Sequence, residues 1–252
     1  MSKAKLIYIC KNCDAQFPKW SGRCLECGAW GSLEKEVSDG SERSESVPQA
    51  APAKSVDLAR AEGTDFSRQP TGISEADRVL GGGLVAGSLL LLAGEPGIGK
   101  STLLSQLANS VAVSTGRSVF YASGEESAGQ IKNRLTRLKC DLRGIRFTSE
   151  TNAERIAASI RELKPELAIV DSIQTMYSGG VSSEPGSVTQ VRAATMSLLE
   201  TAKQENVPVV LVGHITKEGQ AAGPKTLEHI VDAVLYLEAE KSRDFRILRS
   251  PK

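Results

Sequence analysis

No run of about 18 consecutive apolar residues occurs in the 252-residue sequence, so its pattern excludes a membrane-spanning helix. The opening stretch, Met1 to Cys10, contains an apolar run too short for a secretory signal core, and a cytoplasmic location with no membrane partner is expected. A surplus of charge is missing too. The formal net charge is +1, so no global field draws nucleic acid and any such site must be a local patch. There is no internal repeat, and the ordinary fractions of apolar (40%) and charged (24%) residues exclude a fibrous or wholly disordered chain. What is present suffices for one sizeable core and a small accessory module.

Cysteine is scarce except at one place. Four of the five fall at Cys10, Cys13, Cys24 and Cys27, as two C-x-x-C knuckles with ten residues between them. A two-residue gap lets both sulfurs of a knuckle reach one tetrahedral ion at about 2.3 Å, and four thiolates close the shell. In a reducing compartment this spacing favours a structural Zn²⁺ over a pair of disulfides; an iron-sulfur centre is compatible with the same ligands. Trp20 and Trp30 flank the second knuckle, either as exposed stacking groups or as the small core of the ribbon, and the core role is expected. Cys140 stands alone and is expected to be a buried or inert thiol.

The stretch after the ribbon is rich in Ser, Glu, Ala and Pro and lacks a helical or strand period. The expected organisation is a ribbon over 1–33, a solvated linker over 34–55 and a large domain over 56–252. In that domain apolar strand-like runs alternate with helix-like stretches, which predicts an α/β fold with a mostly parallel sheet and crossover helices. Strands are predicted at Leu89–Ala93, Val119–Ala122, Ile145–Thr148, Leu167–Asp171, Val209–Ile215, Ala233–Glu238 and Phe245–Leu248. Helices are predicted at Lys100–Ser114, Glu126–Leu138, Asn152–Leu163 and Val188–Gln204.

The segment Gly94-Glu95-Pro96-Gly97-Ile98-Gly99-Lys100-Ser101 fits G-x-x-x-x-G-K-[ST]. It lies between an apolar strand and an amphipathic helix, where a phosphate-binding loop must lie. Its glycines let the backbone wrap phosphate oxygens, and the helix that begins through Ser101 and Thr102 offers free amides and its positive dipole end. Lys100 should reach the β- and γ-phosphates of ATP, and the Ser101 hydroxyl should ligate Mg²⁺. Asp171, ending the run Leu167 to Val170, is the candidate second Mg²⁺ residue, although a strand-end Asp can also cap a turn. Glu125 and Glu126 follow another strand; one is a candidate base for activating water, the alternative being that both start a helix.

The four-cysteine ribbon, together with TGISEADRVLGGGLVAGSLLLLAGEPGIGKSTLL, YASGEES and VGHITKEGQAAGPKTLEHIVDAVLYLE, resembles the bacterial RadA (Sms) family of RecA-like DNA-repair ATPases over nearly the whole chain. KaiC-like and RecA relatives share the phosphate loop without the ribbon and the last of these phrases. The resemblance implies a RecA-type core, a ring-shaped homohexamer, binding of single-stranded DNA, and processing of branched recombination intermediates by branch migration, like a replicative helicase motor. It also implies a recombinase or other protein partner for the ribbon. It favours Glu125 as the catalytic glutamate and puts His214 where relatives place a γ-phosphate sensor, the plainer role being a strand-end histidine bonded to a loop carbonyl. The loops 177–186 and 216–225 would face the ring channel, mobile through Gly and Ser, with Lys217 and Lys225 as DNA-phosphate contacts. Without the resemblance those lysines read as solvated surface.

The family pattern continues into a KNRFG motif and a Lon-protease-like domain, whereas this sequence stops at Lys252, the first letter of that motif. Weak hydrolysis and weak hexamer assembly are therefore expected. Two further functions fit the same motifs: a KaiC-like signalling ATPase, and an adaptor whose ribbon recruits a protein.

Overall fold

The computed structural model describes residues 5–12, 15–26, 28–38, 68–214, 224–240 and 245–252. They belong to two compact units, residues 1–65 and 66–252.

In the first unit, β1 (Lys5–Cys10) lies between β2 (Gln16–Phe17) and β3 (Leu33–Ser38), both antiparallel to it. Cys10 ends β1 opposite Leu33, and the chain turns at once, with Cys10 N donating to Ala15 O at 3.0 Å. A second tight turn follows Cys24, closed by Gly28 N to Cys24 O at 2.9 Å. Cys10, Cys24 and Leu33 are buried together with Tyr8, Ala15 and Phe17 against them. So small a cluster cannot hold a fold by apolar burial alone, which is why a metal clip belongs here. Two expectations are corrected. Strand β3 runs through Ser38, because its backbone completes the ribbon ladder, so residues 34–38 are sheet and not linker. Trp20 and Trp30 are 61% and 78% exposed; the ribbon core is built from cysteine, Leu33 and Phe17 instead.

The second unit opens with α1 (Ser74–Val79) and continues with β4 (Leu89–Gly94), α2 (Lys100–Thr115), β5 (Val119–Ser123), α3 (Ala128–Arg137), β6 (Ile145–Thr148), α4 (Ala153–Leu163) and β7 (Leu167–Asp171). A 3-10 turn (Ile173–Thr175) precedes α5 (Val188–Glu205), β8 (Val209–His214), α6 (Pro224–Leu227), β9 (Ala233–Ala239) and β10 (Arg246–Arg249). The sheet order is β10-β9-β4-β8-β7-β5-β6, parallel throughout except for β10.

Alternate residues of β4 explain why it reads as an unbroken apolar run. Leu89 and Leu91 pack into the layer that carries α4 and α5, whereas Leu90 and Leu92 pack into the layer that carries α2 and α3. Both faces of a parallel sheet are covered, so neither face of the strand has a polar position. Helix ends follow their caps. Ser127 and Gln130 form a reciprocal capping box, which starts α3 at Ala128, two residues after the predicted start. The predicted elements of this unit are otherwise present within a residue or two, apart from Ile215, which lies outside the described residues; α1, the 3-10 turn and α6 were not anticipated.

Candidate active site

Four neighbouring strands, β4, β8, β7 and β5, deliver the site from their carboxyl ends. Ligands of open parallel sheets bind at this edge, where crossover connections leave a crevice. Register places Gly94 of β4 beside His214 of β8, and Ser123 of β5 beside Asp171 of β7.

The phosphate loop leaves β4 and enters α2 through Gly99, whose φ of 110° is left-handed and denied to ordinary side chains. The first described amide of α2 with a backbone acceptor is Leu103 N, bonded to Gly99 O at 3.0 Å, so those of Lys100, Ser101 and Thr102 have no helical partner. Lys100 is buried, with Nζ donating to Gly94 O at 2.8 Å and to Glu95 O at 3.0 Å. Burial lowers its pKa, while Asp171 and Glu125 oppose that shift. Ile98 packs on the apolar layer, and Glu95, Pro96 and Gly97 are exposed at the rim.

Asp171 is 2% exposed. Its Oδ2 accepts the Tyr121 hydroxyl at 3.0 Å, and its Oδ1 has no hydrogen-bond partner among the described residues. Burial raises the carboxyl pKa; the hydroxyls of Ser101 and Tyr121 pull it down, and Glu125 pushes it up. Burial and the Asp171 carboxylate push the Tyr121 phenol well above its usual value, so it remains a donor. A buried carboxylate oxygen without a donor, beside a serine hydroxyl at a helix start, suits a hard divalent cation such as Mg²⁺. Oxygens of Glu125 and Asp171 and a ring nitrogen of His214 all lie within 4.8 Å of one another.

The adjacent glutamates separate. Glu125 Oε1 accepts from Ser172 Oγ and lies 3.1 Å from His214 Nε2. Glu126 turns away and pairs with Arg134, which is buried and also donates from Nε to Ser105 Oγ at 3.0 Å. Glu126 therefore braces α3 against α2 and stands outside the cluster. Gly124 makes the divergence possible: a Cβ there would lie 2.3 Å from Thr175 Oγ1 and 2.8 Å from Thr151 Cγ2. Its amide reaches Asp171 O at 3.1 Å, drawing Glu125 toward the end of β7.

Sequence reasoning missed Tyr121, Ser172 and Arg134. Tyr121 looks like any core residue of an apolar strand, and only its register opposite Ile169, two residues before Asp171, gives it a role. Cys13, Cys27 and Lys217 lie outside the described residues, as does the side chain of Lys225. The other expected channel loop is tied down, contrary to its Gly and Ser content. Buried Gln190 accepts from Ser178 N at 2.8 Å and donates to Val181 O at 2.8 Å and Ser183 O at 2.9 Å, and Glu154 holds Ser178 Oγ and Gly179 N. Half-buried Cys140 has its thiol pKa raised by burial, which suits an inert role.

The parallel sheet, glycine loop, buried lysine and strand-end carboxylates define a P-loop nucleoside triphosphatase of the RecA-like kind. The chain belongs to the AAA domain family, whose model matches residues 55–220, and a model described as a rubredoxin metal binding domain matches residues 8–35. It is a homologue of DNA repair protein RadA: 44% identical to that of Bacillus subtilis over 261 residues, 46% to that of Streptococcus pyogenes serotype M3 over 253, and 45% to that of Rickettsia felis over 254. Each alignment takes in 100% of this chain and 56%, 55% and 56% of the relative, so the chain spans about half the length of the curated relatives it matches.

Proposed function

We propose that this domain hydrolyses ATP to ADP and phosphate in a Mg²⁺-dependent reaction. The observation that carries this is the convergence of Gly94, His214, Asp171 and Glu125 at one edge of four adjacent strands. In this reading the phosphate-loop amides and Lys100 hold the phosphates, while Ser101 and Asp171 hold the Mg²⁺, which supplies positive charge to the phosphate oxygens. Glu125 accepts a proton from the water that attacks the γ-phosphorus, and ADP departs with the bridging oxygen. His214 donates to the γ-phosphate as charge builds up there, and Ser172 orients Glu125. Cys10, Cys13, Cys24 and Cys27 hold Zn²⁺, an assignment supported by the buried sulfurs of Cys10 and Cys24 in one cluster.

At the level of the cell we propose a DNA-dependent ATPase of recombination and repair. It would act as a homohexameric ring that binds single-stranded DNA and processes branched intermediates. The resemblance to repair proteins supports this; loop 177–186 carries no cation, so in this reading Lys217 and Lys225 of the other loop would supply the charge for DNA phosphates. The decisive experiment measures ATP turnover with and without single-stranded DNA, alongside binding to single-stranded and branched DNA in ATP, ADP and no nucleotide. Absence of DNA binding in every state would leave the ATPase and remove the motor. A second reading, a ribbon that recruits a protein partner, is favoured by the exposure of Trp20, Leu25 and Trp30; pull-down of a recombinase that survives nuclease treatment and is lost in the Trp30→Ala variant would support it.

A further inference from the structure

We propose that Arg246, on the antiparallel edge strand β10, is a ligand for the nucleotide's α- and β-phosphates supplied by the same subunit as the phosphate loop. This rests on the nucleotide-binding reading above and extends it to a residue outside every motif in the sequence.

Register brings Arg246 to the loop. It stands opposite Ala239 of β9, two residues beyond Leu237, which is paired with Gly94. Arg246 therefore enters β10 at the carboxyl edge of the parallel strands. Its guanidinium Cζ, Nε and Nη1 lie 3.6, 3.6 and 3.7 Å from the position that a Cβ on Gly99 would take. Three coplanar atoms equidistant from one point mean that the group lies flat over that side of Gly99. Its N–H edge, where carboxylates and phosphates bind, is left uncovered by the glycine.

Two other arginines of this unit are committed. Arg249, on the same strand, faces Glu238 at 3.5 Å, and Arg134 is paired with Glu126. Arg246 makes no ion pair or hydrogen bond with any described residue. An exposed, unpaired guanidinium held against the start of α2 adds a fork of donors to an anion site already made of amides. Gly99 lies on the arm of the loop nearest the helix, whose amides cradle the α- and β-phosphates, while His214 and Glu125 gather at the Gly94 arm. The contact is thus expected to treat ADP and ATP alike.

The test is equilibrium binding of ADP, ATP, AMP and GTP to the full chain, as wild type, Arg246→Ala and Arg246→Lys, with thermal unfolding to confirm folding. Arg246→Ala should weaken ADP and ATP by the same factor, roughly tenfold or more for a lost charge-assisted pair. AMP should lose less, Arg246→Lys should recover part of the affinity, and the ATP-to-GTP preference should stay fixed. Equal ADP affinity in wild type and Arg246→Ala would overturn the inference. A changed ATP-to-GTP preference would also overturn it, by assigning Arg246 to the base. Failure of the wild type to bind any nucleotide would instead sink the phosphate-loop reading itself.

Discussion

His214 Nε2 sits 3.1 Å from Glu125 Oε1, the carboxylate oxygen that also accepts from Ser172, while the opposite ring nitrogen Nδ1 is buried without a partner among the described residues. In the reaction proposed above, the sensor and the base would thus occupy one another before nucleotide arrives. A γ-phosphate entering beside Gly94 would compete for the same imidazole and free the glutamate for water. His214→Ala is expected to lower the turnover number about a hundredfold, the scale of losing one aimed donor, with ATP affinity nearly unchanged. Single-turnover and equilibrium-binding measurements on the same variant separate the two effects.

Adjacent glutamates should fail in different ways. Glu125→Gln is expected to lower hydrolysis by about 10²-fold or more without altering the melting temperature. Glu126→Gln leaves the buried Arg134 short of its counter-charge and should cost about 2 kcal/mol of stability while sparing turnover in the folded protein. Equal loss of turnover in both would contradict the separation seen at Gly124.

Asp171 carries a tension between fold and chemistry. Its pKa is raised by burial, so ionisation opposes folding, and the cost grows as pH rises through that raised value. Asp171→Asn should therefore stabilise the metal-free protein at neutral pH, by on the order of 1 kcal/mol. The gap should close in acid, where the wild-type carboxyl is protonated and neutral like the amide. The same variant should lose Mg²⁺-dependent hydrolysis. Denaturant melts across the acid range, with chelator present, check the slope.

Gln190→Ala should untie loop 177–186. Removing its buried amide strands the carbonyls of Val181 and Ser183, at a cost of roughly 1–3 kcal/mol, and amides from Ser178 to Ser183 should exchange hydrogen faster than in wild type. Unchanged exchange across the loop would show that Glu154 alone holds it.

With Zn²⁺ held as proposed, removing it with a chelator, or replacing Cys24 by Ser, should erase the β1–β3 pairing in amide spectra while ADP binding persists, because the described ribbon core is only Cys10, Cys24 and Leu33 with Tyr8, Ala15 and Phe17 against them.

Much of this was legible from the sequence, and for physical reasons. Leu89 to Leu92 and Leu167 to Val170 can be uninterrupted only if both sheet faces are covered, and Asp171 interrupts its run where the sheet ends. Gly99, Lys100 and Ser101 are fixed by what a phosphate needs. The residues that escaped reading act through neighbours distant in sequence: Tyr121 reaches Asp171 from another strand, and Gln190 ties a loop that precedes its own helix. Trp20 and Trp30 were misjudged because an apolar residue in a tiny domain suggests a core, whereas cysteine sulfurs had already filled it.

Those indoles have a practical consequence. They are the only two tryptophans in the sequence, both in the ribbon, whereas three of the four tyrosines, Tyr121, Tyr177 and Tyr236, lie in the larger unit. Each module thus carries its own built-in chromophore. Light that excites indole alone interrogates the ribbon and is blind to unfolding of the ATPase core, so a partner or a base stacking on the ribbon would announce itself as a change in emission without any label.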